Sequence, residues 1–309
     1  MSSISSSSDP SCAVLVAIYN GILYLEDQLT SIKGQHSVNI TVFLSDDGST
    51  DDSLKYSINI CDYLSLPYIV VPQDYHLFPK GASGNFYRLL TQPNLSHYDY
   101  IALADQDDIW HPLHLSRAIY ILASGKYAGY SSSVQSFSNT LQSRNIIKKH
   151  QSRSQYNYIV ESPGPGCSFV LPYPSLQCIS KHMLERAYLL SKIKYHDWSV
   201  YALCSHFCGS WFIDSFCSVY YRQHSNNVLG DNRSLRAKCR RLSLLFGNFY
   251  IGEIQKLILL LDLEKQVLFK SFFKKTFCSR VKFAAFIFGN RSIYSHKFIS
   301  FISPFFFKF

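Results

Sequence analysis

No stretch of 18 or more consecutive apolar residues occurs in the sequence, so a helix crossing a hydrocarbon layer is not expected. A basic, apolar leader is missing too. Met1 to Ser8 carries neither a cation nor an apolar run, and residues 1–11 read as a disordered tail. Charge is scarce at 17%, against 47% apolar residues, which is a composition that buries a core rather than staying unfolded. At 309 residues, one large domain with an appendage is the expectation. Acidic residues are nearly absent from the last quarter: residues 233–309 hold 15 Lys/Arg against 3 Asp/Glu, whereas residues 1–232 hold 15 against 18. Two parts of opposite electrical character imply two physical jobs. Cysteine is not scarce, but the nine are odd in number and irregular in spacing, which fits reduced thiols in a cytosol. Cys204 and Cys208 flank His206, with His196 upstream, and so raise zinc. No second ligand pair accompanies them, and two small core residues one helical turn apart are the simpler account.

Residues 12–19 are a continuous apolar run with β-branched members, the pattern of a strand buried on both faces of a parallel sheet. Leu25, Leu29 and Ile32 follow at helical spacing, with Glu26 and Asp27 in the first turn. A second strand, Asn39 to Ser45, ends at Asp46-Asp47-Gly48-Ser49, and Leu54 and Ile58 mark another helix. Tyr68 to Val71 reads as a third strand, Asn85 to Leu90 as a helix, and Tyr100 to Ala104 as a fourth strand running into Asp105-Gln106-Asp107-Asp108. Such alternation implies a mostly parallel α/β sheet with right-handed crossovers. In these sheets ligands gather beyond the carboxyl ends of the strands. Here Tyr19-Asn20, Asp46-Asp47 and Asp105 to Asp108 all stand at such ends. Residues 127–158, rich in Ser, Asn and Gln, show no clear period. A helix is expected from His196 to about Cys208, and one or two strands from Ser210 to Ser218.

Three carboxylates within four residues repel one another, and burying them costs several kcal/mol unless something neutralises them. A hard divalent cation shared with a diphosphate is one neutraliser; a solvated acidic turn is the alternative.

Val14 to Asn20, Ser45-Asp46-Asp47-Gly48-Ser49-Thr50-Asp51 and Ala104-Asp105-Gln106-Asp107-Asp108-Ile109-Trp110 together resemble glycosyltransferase family 2. The Asp-Gln-Asp-Asp-Ile-Trp form is similar to its rhamnosyltransferase-like branch of bacterial surface-polysaccharide synthesis. Gly166-Cys167, His196-Asp197-Trp198 and Tyr221-Arg222-Gln223-His224-Ser225-Asn226-Asn227-Val228 follow in the family's order, so the likeness spans residues 12–230. The resemblance implies a GT-A nucleotide-diphospho-sugar transferase fold and inversion at the anomeric carbon. By it, Ala17, Tyr19, Asp46 and Asp47 line the base and ribose. Asp105 and Asp107 form the acidic pair that meets ribose and a metal, Mg²⁺ or Mn²⁺, with Asp108 assisting. Asp197 is the general base, although a carboxylate at a helix start also serves as an N-cap or first-turn residue. Arg222 and His224 are diphosphate contacts. Phe78 to Phe86 resembles the family's Gly-containing loop, which lacks the Walker pattern, and Lys80 within it is a donor-site candidate. The implied partners are a UDP- or dTDP-linked sugar and a lipid-linked saccharide acceptor in O-antigen or capsule synthesis.

From Arg233 onward, cations and aromatic or aliphatic residues interleave, as Phe269 to Lys275 and Val281 to Phe288 illustrate. This suits amphipathic helices at a membrane interface, so residues 231–309 are read as a membrane-association region on the inner face of the cytoplasmic membrane. A helical subdomain packed on the core is the competing account. No nucleic-acid motif accompanies the charge, and nucleic acid is not expected as a partner. Against a sugar transferase stand a nucleotidyltransferase, whose basic Gly-rich N-terminal loop is missing here, and a non-catalytic nucleotide-sugar-binding protein at the membrane.

Overall fold

The computed structural model describes residues 9–137, 145–147, 154–223, 248–274 and 276–291. The expected alternation is present: β1 (Ser11–Ile18), α1 (Leu25–Lys33), β2 (Asn39–Asp46), α2 (Ser53–Tyr63), β3 (Tyr68–Val70), α3 (Ala82–Thr91) and β4 (Tyr100–Asp105). β3, β2, β1 and β4 lie side by side and parallel. β1 is covered on both faces. Ala13 and Leu15 belong to one core, while Cys12, Val14, Val16 and Ile18 belong to the other, beneath α1. That double burial is why its sequence runs apolar without alternation.

The sheet continues past β4 with a change of direction. β8 (Val170–Pro172) is antiparallel to β4, and β6 (Gly129–Phe137) is antiparallel to β8. β9 (Trp211–Arg222) runs parallel to β6, and β5 (Ile109–Trp110) is antiparallel to β9. A short β7 (Asn145–Ile147) pairs with β6. β6 is the strand hidden in the polar middle of the sequence. Its register with β9 shifts around Ser132, Ser133 and Val134, where Asp214 accepts from Arg117 (2.5 and 3.1 Å) and from the Tyr130 hydroxyl (3.1 Å). α4 (His114–Leu122), α5 (Asn157–Val160), α6 (Tyr173–Glu185), α7 (Ala187–Leu190) and α8 (His196–Phe207) complete the layers around the sheet.

The C-terminal helices α9 (Asn248–Leu260), α10 (Val267–Lys270) and α11 (Phe277–Asn290) pack on the domain. Ile251, Ile254, Leu257, Phe269, Phe283 and Ile287 are buried in the same core as Leu15 and Leu103 of the sheet. The Tyr250 hydroxyl donates to the Val160 carbonyl (2.6 Å) and its ring stacks near Trp198 of α8 (5.9 Å). The tail helices therefore buttress α8, the helix that carries Asp197. Among the described residues no helix is long and apolar enough to cross a membrane.

Candidate active site

The parallel register sets the site. Ile18 stands opposite Asp46 and Ala17 opposite Asp105, so three neighbouring strands end at one level. The two loops beyond them are laced together. The Tyr19 amide donates to Gln106 Oε1 (2.8 Å), and Gln106 Nε2 donates back to the Tyr19 carbonyl (2.9 Å). Gly21 leaves room for this amide, since a Cβ there would overlap the Gln106 carboxamide. Asn20, at φ 47°, accepts from the Thr50 amide (2.8 Å) and so ties the β1 loop to the β2 loop.

Asp46 is buried. It accepts from the Ser49 amide (3.1 Å) and hydroxyl, and Gln73 donates to its carbonyl (2.6 Å). Asp47 is 4% exposed and its oxygens are taken by Arg88 and by the Gly81 amide (2.6 Å). Arg88, 1% exposed, also donates to the carbonyls of Phe78 (2.9 Å) and Pro79 (3.1 Å) and lies over the Tyr75 ring (4.5 Å). Asp47 thus fastens the Gly-containing loop ahead of α3. The anion at the start of that helix is the protein's own carboxylate. Gly84 is obligatory there, because a Cβ would overlap the Pro79 carbonyl oxygen. Lys80 is exposed; its amino group sits 5.2 Å from the Tyr75 ring centre and 2.6 Å from where a Cβ on Gly48 would lie.

Asp105, Asp107 and Asp108 crowd the end of β4. Burial, then Asp107, then Asp197, push the Asp105 carboxyl up to about 8. His196 at the start of α8 packs against Gly166, and the next residue, Cys167, lies with Asp105 and Asp108, so α8 begins beside the same cluster. Asp108 is fully buried and raised by burial and by its two acidic neighbours; Oδ1 accepts from the Arg222 amide (3.0 Å), while Oδ2 has no hydrogen-bond partner. Ligand atoms of Asp105, Asp108 and Cys167 lie within 4.8 Å of one another, so the grouping contains a thiol in place of the expected Asp107 carboxylate. An orphaned buried oxygen beside crowded carboxylates fits a divalent cation.

Asp197 sits in the first turn of α8, where Ser162 donates to one oxygen (3.0 Å) and the Trp198 amide to the other (2.8 Å). His196 beside it is no base. Burial holds its imidazole down to about 3, its ring stacks on Phe86 at 4.1 Å, and a Cβ on Gly166 would come within 2.5 Å of Nε2. Arg222 is committed: Nε donates to the Asp107 carbonyl (2.8 Å) and Nη2 to Asp27 (2.7 Å), a half-exposed carboxylate on α1. His224 lies outside the described residues. The structure therefore brings Ala17, Asp46, Asp105, Asp107, Asp108 and Asp197 to one sheet edge. It turns Asp47 and Arg222 to holding that edge together. Gln106, Arg88 and Ser162 are supporting residues that sequence reasoning missed.

Comparison with known proteins agrees with this geometry. Residues 13–185 match the Glycosyl transferase family 2 domain. The chain is 37% identical over 247 residues to dTDP-rhamnosyl transferase RfbG of Shigella flexneri, covering 78% of this chain and 83% of that one. Among solved structures it is similar in fold to S. aureus TarS 1-349 (TM-score 0.51, 15% identity, 95% of this chain and 80% of that one). It is equally similar to the mannosyltransferase PcManGT from Pyrobaculum calidifontis, solved with GDP-Man and Mn²⁺ (TM-score 0.51, 12% identity, 95% and 85%). With its domain match, its sheet order and its acidic edge in agreement, the chain belongs to glycosyltransferase family 2 and is a glycosyltransferase of GT-A fold.

Proposed function

We propose that this glycosyltransferase moves a deoxyhexose or hexose from a dTDP- or UDP-sugar to a hydroxyl of a lipid-linked saccharide, with inversion, in O-antigen or capsule synthesis. The likeness to a dTDP-rhamnosyl transferase supports dTDP-rhamnose as the donor to try first. The observation that carries the reading is the register that ends β1, β2 and β4 at one level, with Asp46 and Asp105 there and the start of α8 packed beside Cys167 of the acidic group.

In this reading the nucleoside lies over Ala17 and Tyr19, with Asp46 at the base. Asp105 accepts from ribose hydroxyls, as a carboxylate oriented at a strand end can. Asp107, Asp105 and Asp108 would hold a Mg²⁺ or Mn²⁺ ion; when bound, it would offset the charge that grows on the departing diphosphate. Asp197, oriented by Ser162 and the Trp198 amide, takes the acceptor proton as the acceptor oxygen bonds to the anomeric carbon. The bond from that carbon to the diphosphate oxygen breaks on the opposite side, through an oxocarbenium-like state comparable to inverting glycoside hydrolysis. Neutral, half-buried His196 leaves Asp197 as the basic group at the head of α8. Lys80 and His224 stay candidates for the diphosphate. Arg222 would join them by exchanging Asp27 for a phosphate oxygen. Action at the inner face of the cytoplasmic membrane follows from a lipid-linked acceptor.

The test is a donor screen that detects released nucleoside diphosphate with a lipid-diphosphate sugar acceptor, with and without chelator. Acceptor-dependent release that chelator abolishes is expected. Release at one rate with and without acceptor would overturn the transfer reading.

A further inference from the structure

Helix α11 exposes large apolar residues as well as Lys282. Phe283, Ala284, Phe286 and Ile287 are buried against the domain, yet Phe277, Val281 and Phe288, one turn apart from each other or nearly two, are 73, 39 and 38% exposed on the other side. The preceding turn continues the pattern, with Val267 92%, Leu268 45% and Phe273 36% exposed. A surface helix ordinarily turns charged and polar residues to water, and an exposed cluster of large apolar residues marks an interaction surface. From Lys265 onward the charges are of a single sign, Asp262 and Glu264 lying just before the patch with Asp262 paired to Arg186. Lys265, Lys270, Lys274 and Lys282 are exposed, and no Asp or Glu follows Glu264 in the sequence.

We propose that the outer side of α10 and α11 docks on an anionic lipid surface, with the apolar residues entering the headgroup region and the lysines meeting the headgroups. The same helices divide their labour: one side buttresses the catalytic domain while the other is turned to lipid. Charge decides between occupants. A second copy of the chain would bring two sets of lysines together, and a nucleic acid would leave Val267 and Phe277 in water. An amphipathic surface with cations around an apolar patch matches a bilayer interface on both counts. The inference deepens the membrane part of the proposed function, and its test makes no use of sugar transfer, so that either can fail alone.

The test is co-sedimentation of the full chain with vesicles of mixed phosphatidylglycerol and phosphatidylcholine, against phosphatidylcholine alone. Binding to the anionic vesicles that weakens with salt is expected. Lys270→Gln, Lys274→Gln and Lys282→Gln should each weaken it about fivefold, the equivalent of ~1 kcal/mol per cation near the surface. Val267→Ser combined with Val281→Ser should also weaken it, at an unchanged melting temperature and with unchanged transfer to a water-soluble acceptor. Equal binding to neutral vesicles, binding to neither, or a dimer that the Val281→Ser change dissociates would overturn the proposal.

Discussion

Arg88→Met is the most informative test of how the donor edge is built. The guanidinium is 1% exposed and the carboxylate it holds, Asp47, is 4% exposed, so neither can turn to water when its partner is lost. The substitution removes the ion pair and the donors that serve the Phe78 and Pro79 carbonyls, and it leaves Asp47 with the Gly81 amide. Stranding one member of a buried pair costs about 3–5 kcal/mol, a large part of the 5–15 kcal/mol that typically holds a folded protein. At about 2 °C per kcal/mol for a chain of this size, the midpoint should fall by roughly 6–10 °C. Adding Asp47→Asn removes the stranded charge, so the double variant should be more stable than Arg88→Met alone, the sign of direct coupling. The assay is thermal and urea unfolding of the four proteins by circular dichroism. A loss below about 1 kcal/mol for Arg88→Met, or strict additivity of the pair, would refute the account of this loop.

Other consequences follow from the same geometry. Gln106→Leu deletes both bonds to the Tyr19 peptide; at about 1 kcal/mol each, donor affinity should fall roughly tenfold or more by calorimetry, and Gly21→Ala should mimic it by pushing the carboxamide away. Gly84→Ala sets a methyl against the Pro79 carbonyl and should lower stability by about 1–3 kcal/mol. Asp105 is raised to about 8 by burial and by Asp107 and Asp197, so in the folded protein it holds its proton where the unfolded chain has released it. Its contribution is present below the usual carboxylate range and is lost as pH rises towards 8. In chelator, stability should decline across that window, less so in Asp105→Asn, and the melting-temperature gain from added Mn²⁺ should grow with pH. A metal response independent of pH would count against carboxylates as its ligands.

The parallel half of the fold was legible because the central residues of β1, β2 and β4 meet a core on each face and are apolar without alternation. β6 was not, for an equally physical reason. Ser131, Ser132 and Ser133 are buried, but they meet the Trp211 indole (3.0 Å), the Ser218 hydroxyl (2.6 Å) and the Asp214 carbonyl (3.2 Å), so the strand is satisfied by polar partners and shows no hydrophobic period. The tail was read by its charge as one interfacial region. In the described residues Ile254, Leu257 and Phe283 are instead core residues whose neighbours come from far along the chain, which charge and composition alone do not reveal. At the site, Asp46, Asp105 and Asp197 stand out as carboxylates at element ends. Arg88 looks like an ordinary helix-surface cation, since nothing local reveals that Asp47, 41 residues away, is its partner. Gln106 could have been noticed: an amide interrupting a run of acids invites the question of which backbone it serves.

The central claim, that Asp197 performs proton abstraction at a nucleotide-sugar site formed by the strand ends, is tested most directly by Asp197→Asn. Turnover and donor Kd are to be measured on the same preparation with the best donor from the screen. The account predicts kcat lower by about 10²–10⁴ with donor affinity unchanged within roughly twofold, because the base acts on the acceptor. Wild-type turnover in this variant, or a loss of donor binding that accounts for the whole defect, would contradict it.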